Sequence, residues 1–112
     1  MIQIKRAYDA PSVHDGKRIL IDRLWPRGLK KDEAAIDGWI KEIAPSDALR
    51  KWFSHDPSKW QEFKERYKRE LAGKPELLKQ LRGYARGGAL TLVYAARDTE
   101  HNNAVVLKGF LR

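Results

Sequence analysis

Asp22, Arg23, Arg27, Arg97, Asp98 and His101 are the residues of this sequence whose types can do chemistry together. An aspartate can act as a general base, and histidine exchanges a proton near neutral pH. Guanidinium groups hold phosphate or carboxylate through paired hydrogen bonds. Asp22 or Asp98 is therefore the candidate general base and His101 the candidate proton carrier, while Arg23, Arg27 and Arg97 are candidate oxyanion ligands. Trp25, Tyr94 and Asn102 stand beside them as further candidates for substrate contact. A helix expected to start near Asn102 adds backbone amides of the kind that attract anions.

These residues form two groups far apart in the chain, so a fold must bring them together. The first group, Asp22-Arg23-Leu24-Trp25-Pro26-Arg27-Gly28, follows the apolar run Ile19-Leu20-Ile21. A continuous run of this kind is expected of a strand buried on both faces, here about 17–24. Pro26 has no amide donor and keeps Trp25 extended, so the strand must stop and turn, with Gly28 free to take a positive φ. The second group follows Leu90-Thr91-Leu92-Val93-Tyr94, a run of β-forming residues. Several helices separate the two runs, so the connection is a crossover, which makes the strands parallel and, by the general rule, the hand right. Parallel strands end at one sheet edge, where open α/β sheets bind ligands. Taken alone, the first stretch fits a purely structural role better: Asp22 paired with Arg27, and Trp25 filling a gap in the core.

The remaining elements follow from periodicity. Ile2 and Ile4 alternate with Gln3 and Lys5, which predicts a first strand, and 9–16 is polar enough to be a surface connection. Ile36, Trp39, Ile40 and Ile43 have helical spacing, predicting a short helix that ends before Pro45. Ser46 or Asp47 caps the next, with Leu49, Trp52 and Phe53 inward and Arg50 and Lys51 outward. His55-Asp56-Pro57 breaks it, leaving His55 as a loop residue. Ser58 and Gln61 have capping-box spacing before the stripe Trp60, Phe63, Tyr67 and Leu71, with Glu62–Arg66 and Glu65–Arg69 as outer pairs. Gly73 ends that helix, and Pro75 opens another with Leu77, Leu78, Leu81 and Ala85 inward, stopped at Gly87-Gly88. A last helix spans about 103–111, with Asn102 or Asn103 as its cap. The expected fold is α/β: a single domain over 1–112 in three α/β/α layers, with a short, mainly parallel sheet and helices on both faces.

Composition bounds the function. The 112 residues suffice for one core, and 42% are hydrophobic. No apolar run approaches the roughly 18 residues of a membrane span, and no secretory signal is seen, which points to the cytoplasm and away from a membrane partner. There is no cysteine, so thiolate catalysis and thiolate metal sites are excluded. His14, His55 and His101 form no ligand-spaced pair, so neither a metal nor a cofactor is expected. Lys and Arg outnumber Asp and Glu by 23 to 15, a net charge of +8, which favours an anionic partner.

Two further sets of residues carry a family resemblance alongside the Trp-Pro-Arg-Gly stretch and the Leu90–Tyr94 run that leads to His101-Asn102. They are Pro45-Ser46 with Leu49-Arg50, and Trp60, Phe63, Tyr67 and Glu70-Leu71. In these residues, and end to end, the chain resembles the bacterial YeaO-like proteins of the family named domain of unknown function 488. The resemblance implies a small α/β fold and no established activity. Longer relatives tend to carry a Cys-Ala-Glu strand end and a Cys-His-Arg triplet, where this chain has Tyr94-Ala95-Ala96 and Asn102-Asn103-Ala104. Thiol chemistry imagined for those relatives therefore does not carry over.

Three functions fit these residues. One is an anion-binding pocket after the second and third predicted strands that takes a small anionic ligand or phosphate ester, with an enzymatic role left open. Another is nucleic-acid binding through the basic surface, although no recognisable nucleic-acid module is present. The third is an adaptor that uses the Trp-Pro-Arg loop. The first is the leading expectation.

Overall fold

Ile19 and Ile21 alternate with Leu20 along one strand, and Leu90, Leu92 and Tyr94 with Thr91 and Val93 along another, so each strand offers apolar groups to both sides. In the computed structural model, which describes residues 1–112, these two become the inner strands of a four-stranded sheet. β1 (Ile2–Arg6), β2 (Lys17–Leu20), β3 (Gly38–Trp39) and β4 (Leu90–Tyr94) lie in the order β1-β4-β2-β3, and every neighbouring pair is parallel. Ile19 stands opposite Leu92, and Leu20 opposite Val93. The expected parallel pairing of the two apolar runs is thus present, and they end at one edge.

Five α-helices accompany the sheet: α1 (Lys31–Ala34), α2 (Asp47–Phe53), α3 (Trp60–Ala72), α4 (Pro75–Gly87) and α5 (Asn103–Leu111). The main core joins Ile19, Ile21, Leu90, Leu92 and Tyr94 to the inward residues of α2–α5, among them Phe63, Tyr67 and Leu71 of the predicted α3 stripe. On the other sheet face Ala7, Leu20 and Val93 lie under Trp25, Leu29, Ile36 and Trp39. That face also buries a charge pair. Arg18 donates to Asp15 Oδ2 at 2.6 Å and to the carbonyls of Ala34 and Ala35, which anchors α1 there. Helices therefore lie on both faces, four longer ones on one side and α1 on the other.

Several local expectations give way to tertiary pairing. The second strand ends at Leu20 rather than near residue 24, although the Ile21 amide still donates to the Val93 carbonyl at 3.0 Å. Beyond that point a side chain takes over the ladder, as described below. No helix forms over 36–43. Gly38–Trp39 pairs with the open edge of β2, and only a 3₁₀ turn, Lys41–Ile43, follows. The apolar residues of this segment serve both sheet faces, Ile36 and Trp39 one and Ile40 and Ile43 the other, which a helix with one apolar stripe could not do. The Ser58–Gln61 capping box is also absent: Asp56 accepts from the Ser58 amide and hydroxyl, capping a 3₁₀ turn, Pro57–Lys59, that runs into α3. Glu62 pairs with Arg66, whereas Glu65 and Arg69 form no ion pair. The polar stretch before β2 holds a 3₁₀ turn, Val13–Asp15, locked by reciprocal capping between Ser12 and Asp15. Ser46 and Asn102 cap α2 and α5 as expected.

Candidate functional site

Where β2 and β4 end, Asp22 closes the sheet with its side chain. Oδ2 accepts the Ala95 amide at 2.9 Å and Oδ1 accepts from Asn103 Nδ2 at 3.0 Å. One carboxylate thus ties the end of β2 to the end of β4 and the first residue of α5. Burial raises the Asp22 pKa above the ordinary aspartate range, and the bonds from Asn103 and Ala95 offset this only in part. Its oxygens serve these donors and form no pair with Arg27.

The loops leaving the two strands border a cleft of about 640 Å³. Arg23 and Arg27 come to it from the loop after β2, Arg97 from the loop after β4, and Arg50 from α2; His55 and His101 face it too. Asp22 and Asp98 are the only carboxylates on its wall. The cleft therefore gathers eight of the nine candidates: Asp22, Arg23, Trp25, Arg27, Arg97, Asp98, His101 and Asn102. Tyr94 is the exception. It is buried in the main core, on the sheet side it shares with Leu90 and Leu92, and does not line the cleft.

Several of these groups are engaged by the protein itself. Asp98 Oδ1 accepts the amides of Glu100 and His101, and Oδ2 lies 2.9 Å from His101 Nδ1. The Glu100 amide, then the His101 ring, holds the Asp98 carboxyl below its usual range. A carboxylate so stabilised is a weak base and a good partner for a protonated imidazole. The His101 ring also meets Trp60 edge-on, centroids 5.2 Å apart. Asn102 is buried, with Oδ1 accepting from Val105 and Nδ2 donating to the Asp98 carbonyl, so both its polar ends are used as a cap. Trp25 Nε1 donates to the Leu29 carbonyl at 2.6 Å and its ring packs edge-on against Trp39. The gap-filling role of Trp25 is thereby realised while the residue still lines the cleft.

The arginines are less committed. Arg27 and Arg97 are exposed, and neither side chain has a hydrogen-bond or ion-pair partner within the chain. Arg23 reaches the Ala44 carbonyl at 3.4 Å and sits 3.7 Å from Asp47 Oδ1, while its Nε is closed off from solvent with no hydrogen bond. Arg50 donates to the same Asp47 oxygen at 3.1 Å.

Arg50, His55 and Asn103 are cleft residues that periodicity missed. Helical spacing turned Arg50 outward from α2, and its place in the Leu49-Arg50 pair of the family resemblance was the one sequence signal for it. His55 arrives through backbone geometry: Ser54 and His55 both take left-handed φ values, 46° and 56°, which swing the chain out of α2 onto the cleft. Left-handed non-glycine residues cost about 1 kcal/mol or more each, and nothing in Ser54-His55-Asp56 announces two in succession. Asn103 reads as a second cap candidate, and only the meeting of α5 with β2 shows its bond to Asp22. No group of three or more histidine, cysteine or acidic side chains is placed to hold a metal ion.

A family model described as the inactive DUF488-N3 subclade matches residues 1–112. The uncharacterized protein YeaO of Escherichia coli (strain K12) is 48% identical over 111 residues, 99% of this chain and 96% of that protein. The uncharacterized proteins Rv3073c of Mycobacterium tuberculosis and Mb3100c of Mycobacterium bovis are each 36% identical over 110 residues, 98% of this chain and 92% of theirs. No solved structure matches the chain.

Proposed function

We propose, on the premise that this chain belongs to the DUF488 family and within it to the subclade described as inactive, that its strand-end cleft binds a small anion without transforming it. The observation that carries this reading is the charge balance of the cleft. Four arginines line it against two aspartates, one spent on joining β2 to β4 and the other on its own turn and His101. Arg27 and Arg97 bring unpaired guanidinium groups to the same space, and such groups favour phosphate or carboxylate. Asp22 is the one candidate base with a raised pKa, but both of its oxygens are tethered by donors that hold sheet and helix together. This suits a structural clamp better than a group that must receive a proton from a ligand. The cytoplasm is the compartment we propose for this binding.

Nucleic acid is the weaker candidate on the same surface. Exposed tryptophan faces would be its stacking platforms, yet cations lie over Trp39 (Lys41), Trp52 (Lys59 and Arg66) and Trp60 (Lys64), which leaves Trp25 as a single free ring where a strand of bases would use several. The test is a thermal-shift series of the wild type and an Arg27→Ala/Arg97→Ala variant with orthophosphate, citrate and a short single-stranded oligonucleotide. The expected result is a melting temperature raised by a small anion in the wild type and raised less in the variant, which has lost two of the four guanidinium groups of the cleft. Equal shifts in both proteins, or a shift with the oligonucleotide alone, would sink the reading.

A further inference from the structure

Resting on the anion-binding reading, the geometry points to a ligand of a particular build: an organic anion with a flat, apolar ring, its charged head on Arg23 and Arg50. Two observations carry it, neither of them the net charge of the cleft.

The first is the cleft's second chemical character. Beside the arginines, its lining includes Leu24, Trp25, Pro26, Pro45, Phe53 and Phe63. The rings of Phe53 and Phe63 stack at 4.3 Å and extend the main core to the cleft floor. Trp25 has given its one polar atom to the Leu29 carbonyl, so only its ring surface remains for a guest. Leu24 is 62% exposed and adds uncovered apolar area to the cleft lining. A cleft of about 640 Å³ is also far larger than a bare phosphate requires and lies within the range of sites for ring-bearing metabolites. Orthophosphate would leave this apolar wall wet.

The second observation locates the head. Arg23 Nε is shielded from water and makes no hydrogen bond, and the nearest carboxylate, on the exposed Asp47, is too distant at 3.7 Å and already receives Arg50. A buried donor without an acceptor is rare and calls for one. The Arg23 side chain as a whole is 31% exposed, so a small turn of it toward the cleft would let an oxyanion between Arg23 and Arg50 supply that acceptor. The Pro26 and Pro45 backbones, which have no amide hydrogens, leave the neighbouring wall without competing donors. Two kinds of molecule share this build, a mononucleotide and an aromatic carboxylic acid, and binding experiments separate them.

The experiment is isothermal titration of the full chain with adenosine monophosphate, phenyl phosphate and indole-3-acetate as ring-bearing anions. Ribose 5-phosphate and orthophosphate serve as ringless anions, and adenosine as a ring without charge. At least one ring-bearing anion is expected to bind about tenfold or more tighter than the ringless anions and than adenosine, and to quench tryptophan fluorescence. In Arg23→Lys, which keeps the charge but loses the fork, that gain is expected to fall about tenfold with the melting temperature of the free protein unchanged. Whether the nucleotide or the carboxylate leads identifies the class. If ringless anions bind as tightly as ring-bearing ones, the inference fails while anion binding stands. If adenosine matches its monophosphate, or Arg23→Lys binds as the wild type does, the placement of the head is wrong. If no anion binds, both this inference and the reading beneath it fall.

Discussion

At the scale of residues, three aspartates of the same chemistry do three different things, and their surroundings decide which. Asp47 is exposed and bridges Arg23 and Arg50, so in the free protein it occupies part of the field that a bound anion would use. Its carboxyl is held below the usual range, first by the Arg50 hydrogen bond. Asp47→Asn is therefore expected to tighten anion binding severalfold, measured by titration. Asp15 and Asp22 are both shielded and shift in opposite directions. Burial pushes Asp15 up, but the Ser12 amide, Arg18 and Lys5 together hold it below the ordinary value. Its stabilising contribution is present above the pKa of the unfolded chain and is lost as pH falls through the lower folded value. Asp15→Ala leaves Arg18 buried without its carboxylate and is expected to cost about 3 kcal/mol or more in denaturant unfolding, and to flatten the acid limb. Asp22 has the reverse sign. With its folded pKa raised, stability falls as pH climbs from the unfolded value to the folded one, and Asp22→Asn is expected to abolish that decline in a pH series of unfolding curves.

Among the elements, the two apolar strands and the three long helices follow from local rules, whereas the short pieces follow from their neighbours. α3 and α4 each repeat apolar residues at helical spacing over 13 residues, which signals one buried stripe whatever the partner. β3 has two residues and exists because β2 offers it an edge; the Asp37 amide donates to the Arg18 carbonyl and the Ile40 amide to the Leu20 carbonyl on either side of it. No two-residue signal can state that in advance. Glycines show the same division. Gly16 has φ 63°, and a Cβ added there would run into the Ala89 carbonyl, where the chain enters β2 beside β4. Gly83 in α4 has open space around it. Gly16→Ala is therefore expected to destabilise by about 2 kcal/mol or more, combining overpacking with backbone strain. Gly83→Ala is expected to stabilise by roughly 0.5–1 kcal/mol through helix propensity. Thermal or urea melts of the two variants decide both.

For the whole molecule, the charge of +8 and the fold make separate statements. Charge spread over helices attracts polyanions weakly and loses them with salt, whereas a cleft holding one anion against two guanidinium groups releases few counterions. Raising salt from about 50 to 200 mM is thus expected to weaken oligonucleotide binding far more steeply than binding of a ring-bearing monoanion, read from parallel titrations. The sequence by itself determined the α/β class, the parallel pairing of two apolar runs, and the edge where Asp22 and Asp98 gather with the arginines. Period and chain punctuation act over short spans of chain, and the crossover rule needs only the order of the elements along it. Tertiary structure alone decided that Asp22 is a clamp, that Tyr94 belongs to the core, that His55 and Arg50 complete the cleft, and that residues 36–43 serve two sheet faces. Each of these depends on a partner more than 10 residues away, or on a left-handed turn held by its surroundings, and such partners are named only once the chain has closed on itself.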